Sequence, residues 1–94
     1  MNLRDYIDFE ELVNESERLV IDELGRQVEE PENRYLLNDE DLLRDIAAYA
    51  LNHVRPMYRA NLLGRLYAKS LDAEESEEVK RAVTQAIEKI RINP

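Results

Sequence analysis

The residue types best suited to recognising a ligand begin on one predicted helix. At 100° per residue, Asp45 and Asn52 fall on the same helix face, and Ala48 between them leaves that face open to a flat group. Asp and Asn side chains hydrogen-bond along the edges of nucleobases, and Asp accepts from the amino and imino donors of guanine. Asn is a poor choice inside a helix when it is merely exposed. A solvated polar face would show the same pattern, so both interpretations stay open.

The turn after this helix carries side chains that bind phosphate and stack on rings. Arg55, Pro56, Tyr58 and Arg59 follow Asn52 closely. Arginine donates two parallel hydrogen bonds to phosphate, and tyrosine offers a ring and a hydroxyl. An acceptor face that leads into such a turn suits a nucleotide-like ligand. The same residues would also suit a surface salt-bridged to the acidic N-terminal helix.

Charge sets this turn apart from the rest of the chain. The net charge is −8, with 21 acids against 13 Lys and Arg, which argues against binding to nucleic acid. Residues 54–71, called here the basic island, contain no acid at all. Their bases are Arg55, Arg59, Arg65 and Lys69.

Signals for catalysis or metal binding are weak. His53 is the single histidine, there is no cysteine, and no glycine-rich phosphate loop or zinc-protease motif occurs. Pairs of acids are expected on solvated faces when a chain has 21 of them. We therefore expect a protein that is not an enzyme and holds no metal or other cofactor.

Composition and hydrophobic spacing predict the scaffold. With 94 residues, 2 Gly and 3 Pro, the chain suits one helical domain over residues 1–94. No apolar stretch approaches the about 18 residues of a membrane span, and the N-terminus does not resemble a signal peptide. The lack of cysteine fits a reducing compartment, so we expect a cytoplasmic protein.

Four helices are predicted, giving an all-α, compact four-helix domain. The second has a clear apolar stripe, and residues 29–33 before it read as a linker. We expect a helix restart or bend at Asn14, and local extension at Met57–Arg59. The predicted helices are Phe9–Gln27, a second capped by Asn38 and ended by Pro56 at about Arg55, Ala60–Ser70, and one from Asp72 to about Arg91. The apolar stripe consists of Leu43, Ile46, Ala47, Ala50, Leu51 and Val54.

The segment Asp45–Tyr58 resembles the signature of the ComFB family of late competence development proteins. It follows the family pattern D-[IV]-x-A-x-A-L-N and then P-x-Y. Flanking residues resemble the family's N-x-x-E-x-x-V opening and its later G-x-x-Y step. The flanking matches are Asn14, Glu17 and Val20 upstream, and Gly64, Leu66 and Tyr67 downstream.

The resemblance implies a small helical domain that commonly forms homodimers. Several family members are non-enzymatic receptors for cyclic dinucleotides such as cyclic di-GMP and cyclic di-AMP, linked to competence, motility and cell size. Some carry zinc-binding cysteines before the signature helix; this chain has none there, so zinc is not expected. We expect burial of Tyr35, Leu36 and Leu37 to hold that loop instead. The ligand-binding residues expected from motif and chemistry are Asp45, Asn52, Arg55, Pro56, Tyr58, Arg59 and Arg65.

Two functions follow as hypotheses. The first is a homodimeric cyclic dinucleotide receptor that relays its ligand to a protein partner. The second is a helical adaptor for protein interactions with no small ligand, docking through the acidic first helix or the basic turn. Tyr6, Phe9 and Tyr67 are candidates for the dimer surface.

Overall fold

The computed structural model describes residues 1–60 and 73–92. It confirms an all-α class, to which one small antiparallel pair of strands is added. The third predicted helix, Ala60–Ser70, falls outside the described residues except for Ala60. The elements in chain order are two 3-10 turns (Leu3–Asp5 and Phe9–Glu11), β1 (Val13–Asn14), α1 (Glu15–Gln27), a 3-10 helix (Pro31–Asn38), α2 (Glu40–Leu51), β2 (Tyr58–Arg59) and α3 (Ala73–Ile92), which corresponds to the fourth predicted helix.

Helix α1 begins at Glu15, so the predicted start at Phe9 was wrong, whereas the restart at Asn14 is confirmed. Asn14 has extended backbone angles and its side chain accepts a hydrogen bond from the Ser16 N–H at 3.1 Å. This is the usual N-cap geometry, which satisfies one of the free donors of the first turn. Asn14 also belongs to β1, and a residue in a strand cannot continue a helix.

The segment before α2 is a 3-10 helix from Pro31 onward rather than the predicted linker. Proline at the first turn suits a helix start, because its fixed φ is helical and its missing N–H would be unpaired there. Leu36 is fully buried and fastens the segment to the core. The expected burial of Tyr35 and Leu37 was wrong, since they are 49% and 56% exposed. Leu36 holds this segment together with the buried Asn33, whose side chain donates to the Gln27 carbonyl oxygen at 3.0 Å.

Helix α2 is capped by Asp39, one residue later than predicted, and ends at Leu51. The Asp39 carboxylate accepts from the Leu42 N–H at 3.1 Å. Pro56 was expected to end the helix near Arg55, but the chain leaves the helix at Asn52. The earlier end gives the chain room to reach β1 in an extended conformation.

The core lies where α1, the 3-10 helix, α2 and α3 meet. The predicted stripe of α2 is confirmed up to Leu51: Ile46 and Ala50 are fully buried, and Leu43, Ala47 and Leu51 are partly buried against the core. Val54, beyond the end of α2, also packs against the core. No helix in the described part of the chain is long and apolar enough to span a membrane. The buried apolar residues are Val20, Leu24, Val28, Leu36, Ile46, Ala50, Val79, Ala82, Val83, Ala86 and Ile87.

Candidate ligand-binding face

A polar clamp fixes the turn after α2 to the N-terminus of α1. The Asn14 side chain accepts from the Met57 N–H at 2.8 Å, and the Glu15 N–H donates to the Met57 carbonyl oxygen at 2.8 Å. The Ser16 hydroxyl, 1% exposed, donates to the Arg55 carbonyl oxygen at 2.6 Å. Buried polar groups are costly unless paired, so these bonds define one position for the turn. Asn14, Glu15 and Ser16, at the N-terminus of α1, thus hold residues 55–57 in place.

Strand pairing then sends the next two side chains to opposite sides. Val13 pairs with Arg59 and Asn14 with Tyr58 in an antiparallel register. Successive side chains of a strand point to opposite faces. Tyr58 is 64% exposed, whereas the Arg59 side chain is 15% exposed and forms an ion pair with Glu15. The predicted extension at Met57–Arg59 is confirmed, and it separates Tyr58 from Arg59.

Glu15 is the buried acid to which Arg59 binds. Its side chain is 8% exposed, and Arg18 reaches it from the next turn of α1 at 3.0 Å. The hydrogen bond from Arg59, followed by that from Arg18, holds the pKa of the Glu15 carboxyl below its ordinary value of 4.5, against the opposing effect of burial. Arg59 is therefore part of a desolvated ionic cluster.

Arg55 lies on the other side of the turn and contacts α3. Glu78 accepts from the Arg55 backbone N–H at 3.2 Å and from its guanidinium Nε at 3.1 Å. The Arg55 side chain is 63% exposed and the Glu78 side chain is 26% exposed. The second arginine of the turn is thus bound to an acid too, but in contact with solvent. Of the two arginines, Arg59 is salt-bridged to the first helix, as the sequence left open, whereas Arg55 is bound to an acid of α3 instead.

The predicted acceptor face of α2 is exposed. Asp45, Ala48 and Asn52 are all exposed, and the seven-residue spacing places Asp45 about 10.5 Å from Asn52 along the helix axis. Within the described residues, neither the Asp45 carboxylate nor the Asn52 amide makes a hydrogen bond or an ion pair. Asn52 serves the helix end through its backbone N–H, which donates to the Ala48 carbonyl oxygen at 3.1 Å. Both side chains are therefore exposed on this face of α2.

An aromatic pair at the end of α2 was not among the predicted site residues. Tyr49 and His53 stack with ring centres 4.3 Å apart and planes at 19°. His53 Nδ1 lies 2.7 Å from the Tyr49 carbonyl oxygen. A carbonyl can only accept, so His53 Nδ1 is the donor of this hydrogen bond. The i, i+4 spacing of the two rings was the signal that sequence reasoning passed over.

The structure thus groups the predicted residues unevenly. Asp45 and Asn52 share one exposed helix face, next to the stack at the helix end. Pro56 and Tyr58 are exposed in the clamped turn, while Arg59 points to Glu15. Arg65 lies outside the described residues. In residues 1–60 and 73–92, no group of three or more acidic or histidine side chains is placed to hold a metal ion.

These features define a small helical domain with an open polar helix face and a clamped arginine turn. The family model of ComFB, the late competence development protein, matches residues 13–94. The match begins at the first residue of β1 and includes the whole clamp and α2. The chain belongs to the ComFB family, as its resemblance to the signature predicted. No curated protein and no solved structure gives a match.

Proposed function

We propose that this chain is a non-enzymatic signalling domain that binds a cyclic dinucleotide, cyclic di-GMP or cyclic di-AMP, and relays its presence to a protein partner in the cytoplasm. The observation that carries the proposal is the exposed face of α2, where two polar side chains without described partners run into a stacked Tyr–His pair. Membership of the ComFB family supports it.

The chemistry of the face matches the parts of such a ligand. Asp45 accepts from base N–H groups, and Asn52 can accept or donate at a second base edge. The Tyr58 ring, 64% exposed, offers a stacking surface, which is worth about 1–3 kcal/mol per base in single-stranded nucleic acid complexes. Arg55 supplies the phosphate contact, and Pro56 fixes the backbone of the turn. Arg65, from the basic island, is the further cation expected near the phosphates.

Arg59 has a different part in the proposal. Its side chain is largely buried against Glu15, on the strand face opposite to Tyr58. Its contribution is to keep β2 in register, which determines where the Tyr58 ring lies. Arg59 is thus a positioning residue for the ligand face.

Calorimetric titration with each cyclic dinucleotide tests the proposal. Asp45→Asn keeps the shape of the side chain but removes the charged acceptor. If Asp45 contacts a base, we expect the Kd for the cyclic dinucleotide to rise about tenfold. Asp22→Asn, the same change at an exposed position of α1, is the matched control and should leave Kd unchanged. Binding should also weaken with added salt, because exposed phosphate–arginine contacts are screened. Absence of heat and of any thermal shift at high micromolar ligand would contradict the proposal.

Homodimer formation is part of the same proposal. Tyr6 and Phe9 are 71% and 40% exposed in the N-terminal turns, and they offer apolar surface for a second copy. Sedimentation equilibrium should show a dimer at tens of micromolar protein, and Tyr6→Ser with Phe9→Ser should shift it towards the monomer. A wild-type monomer at that concentration would contradict the dimer.

One observation favours the adaptor alternative. All residues from Met1 to Leu12 are exposed, although Leu3, Ile7 and Leu12 are apolar. Exposed apolar side chains among acids suit docking to another protein. If neither nucleotide binds the wild type, and binding of a purified partner is lost upon the double change Leu3→Ser and Ile7→Ser at two exposed positions, the adaptor is the correct function.

A further inference from the structure

The Glu78 carboxylate sits in a cradle with the chemistry of an anion site. It accepts at 3.2 Å from the Arg55 backbone N–H through one oxygen, and at 3.1 Å from the Arg55 guanidinium through the other. One main-chain donor and one arginine donor are the contacts that proteins commonly make to a phosphate group. A carboxylate spans two such donors much as two oxygens of a phosphate do.

We propose that this cradle is a phosphate site for the ligand, and that Glu78 occupies it as an internal competitor when no ligand is bound. The inference rests on the proposed function and assigns a regulatory role to a residue outside the family signature. Ligand phosphate replaces the carboxylate on Arg55, so the affinity for ligand is set partly by the strength of the Glu78 contact.

Burial distinguishes this site from the other arginine of the turn. The Glu78 and Arg55 side chains are 26% and 63% exposed, whereas those of Glu15 and Arg59 are 8% and 15% exposed. Water or a ligand can reach the first pair, and an exposed ion pair has little net free energy holding it together. Opening the second pair would leave a desolvated charge without its partner, which is far more costly. Of these two described pairs, the Arg55–Glu78 pair is therefore the one open to exchange.

The exchange also has a route to the rest of the domain. The Arg55 carbonyl oxygen stays bonded to Ser16 of α1, so the turn keeps its place when Glu78 leaves. What changes is the contact between the turn and α3, the helix that packs on both α1 and α2. A partner that contacts α3 near Glu78 would thus meet a different surface in the ligand-bound protein.

The test compares Glu78→Gln with Glu77→Gln, which removes the same charge from the neighbouring, exposed position of α3. In calorimetry with the cyclic dinucleotide that binds the wild type, Glu78→Gln should lower Kd about two- to fivefold, as expected for loss of an exposed ion pair. Glu77→Gln should change Kd less than Glu78→Gln. In an Arg55→Ala background, Glu78→Gln should give a smaller gain, because only the backbone N–H of the cradle is left for Glu78 to occupy. Equal gains for the two glutamate variants would overturn the inference, because net charge alone would then explain them.

A second probe separates failure of this inference from failure of the proposed function. Inorganic pyrophosphate is titrated into 15N-labelled wild type and Glu78→Gln, and the backbone amide signal of Arg55 is followed by NMR. The signal should move at lower pyrophosphate concentration in the variant. If it does so while neither cyclic dinucleotide binds, the anion site stands and the proposed ligand is wrong. If the Arg55 signal responds alike in both proteins, or in neither, the inference is wrong even where a cyclic dinucleotide binds.

Discussion

Two arginine–glutamate pairs flank the same short turn, and they differ in burial. Arg59 binds Glu15 at the start of α1, where the acid is nearly inaccessible and a second arginine supports it. Arg55 binds Glu78 on α3, where both side chains meet solvent. The residue types are the same and the two arginines are four positions apart. Their surroundings alone separate them.

The two pairs differ in how much it costs to separate their charges. A desolvated pair is costly to break, because each charge would lose its partner without gaining water. A solvated pair costs little to open, since water replaces what is lost. Arg59 thus fixes the strand that carries Tyr58, whereas the exposed Arg55–Glu78 pair is the one that we propose to be exchangeable. Three experiments test this distinction.

The largest effect is expected for the buried pair. Glu15→Gln removes the charge that Arg59 and Arg18 share, and the free energy of unfolding should fall by about 2–3 kcal/mol. Urea unfolding followed by circular dichroism measures it. Glu17→Gln, an exposed acid in the same helical turn, is the control and should change stability by less than about 0.5 kcal/mol. Equal effects of the two changes would remove the distinction between the pairs.

The Glu15–Arg59 pair should also make the free energy of unfolding depend on pH, which is a smaller effect. Because the pKa of Glu15 is lower in the folded protein than its ordinary value of 4.5, its contribution is fully present above that value. It is lost as pH falls through the lowered folded pKa, where the folded protein takes up the proton. The pKa of Glu23 is lowered as well, since burial, which raises it, is outweighed by hydrogen bonds from Arg26 and Gln27.

Because Glu23 also titrates in this range, the effect of Glu15 is measured as the difference in unfolding free energy between the wild type and Glu15→Gln. Unfolding free energies of the wild type and Glu15→Gln are compared from about pH 7 to pH 3, and the gap should narrow towards acid. The narrowing should be smaller than the whole effect of the substitution, because a protonated Glu15 can still hydrogen-bond. A gap that stays constant down to about pH 3 would show that charge on Glu15 does not stabilise the fold.

The smallest effect is expected for the exposed pair. Glu78→Gln should lower the free energy of unfolding by no more than about 0.5–1 kcal/mol, since exposed pairs contribute little. The same urea experiment measures it, with Glu77→Gln as the control. A loss as large as that of Glu15→Gln would mean that the two pairs are equally structural, and that Glu78 is not exchangeable.

Much of the scaffold could be predicted from local pattern. The apolar stripe of α2 and the restart at Asn14 followed from spacing and capping chemistry, which depend on neighbouring residues only. The wrong predictions concern helix ends that depend on contacts between residues far apart in the sequence. The first helix was predicted to begin at Phe9, but Asn14 pairs with Tyr58, 44 positions away. Pro56 predicted an end of α2 near Arg55, but α2 ends at Leu51 and the turn that follows is hydrogen-bonded to the N-terminus of α1.

The candidate site divides in the same way. That Asp45 and Asn52 share a helix face follows from a seven-residue spacing, and their exposure agrees with it. That Arg55 and Arg59 have separate partners does not follow from any spacing. Glu15 and Glu78 are two acids among 21, and only packing selects them.

The helical class, the family, the polar face of α2 and a turn with two arginines could all be predicted from residue type and short-range periodicity. Which arginine is buried, and which acid each arginine meets, depends on how the elements pack. Strand pairing sends Arg59 inward beside α1, and α3 brings Glu78 to Arg55. The free energy that an ion pair contributes depends on how much water reaches it, and the packing of the fold determines that exposure.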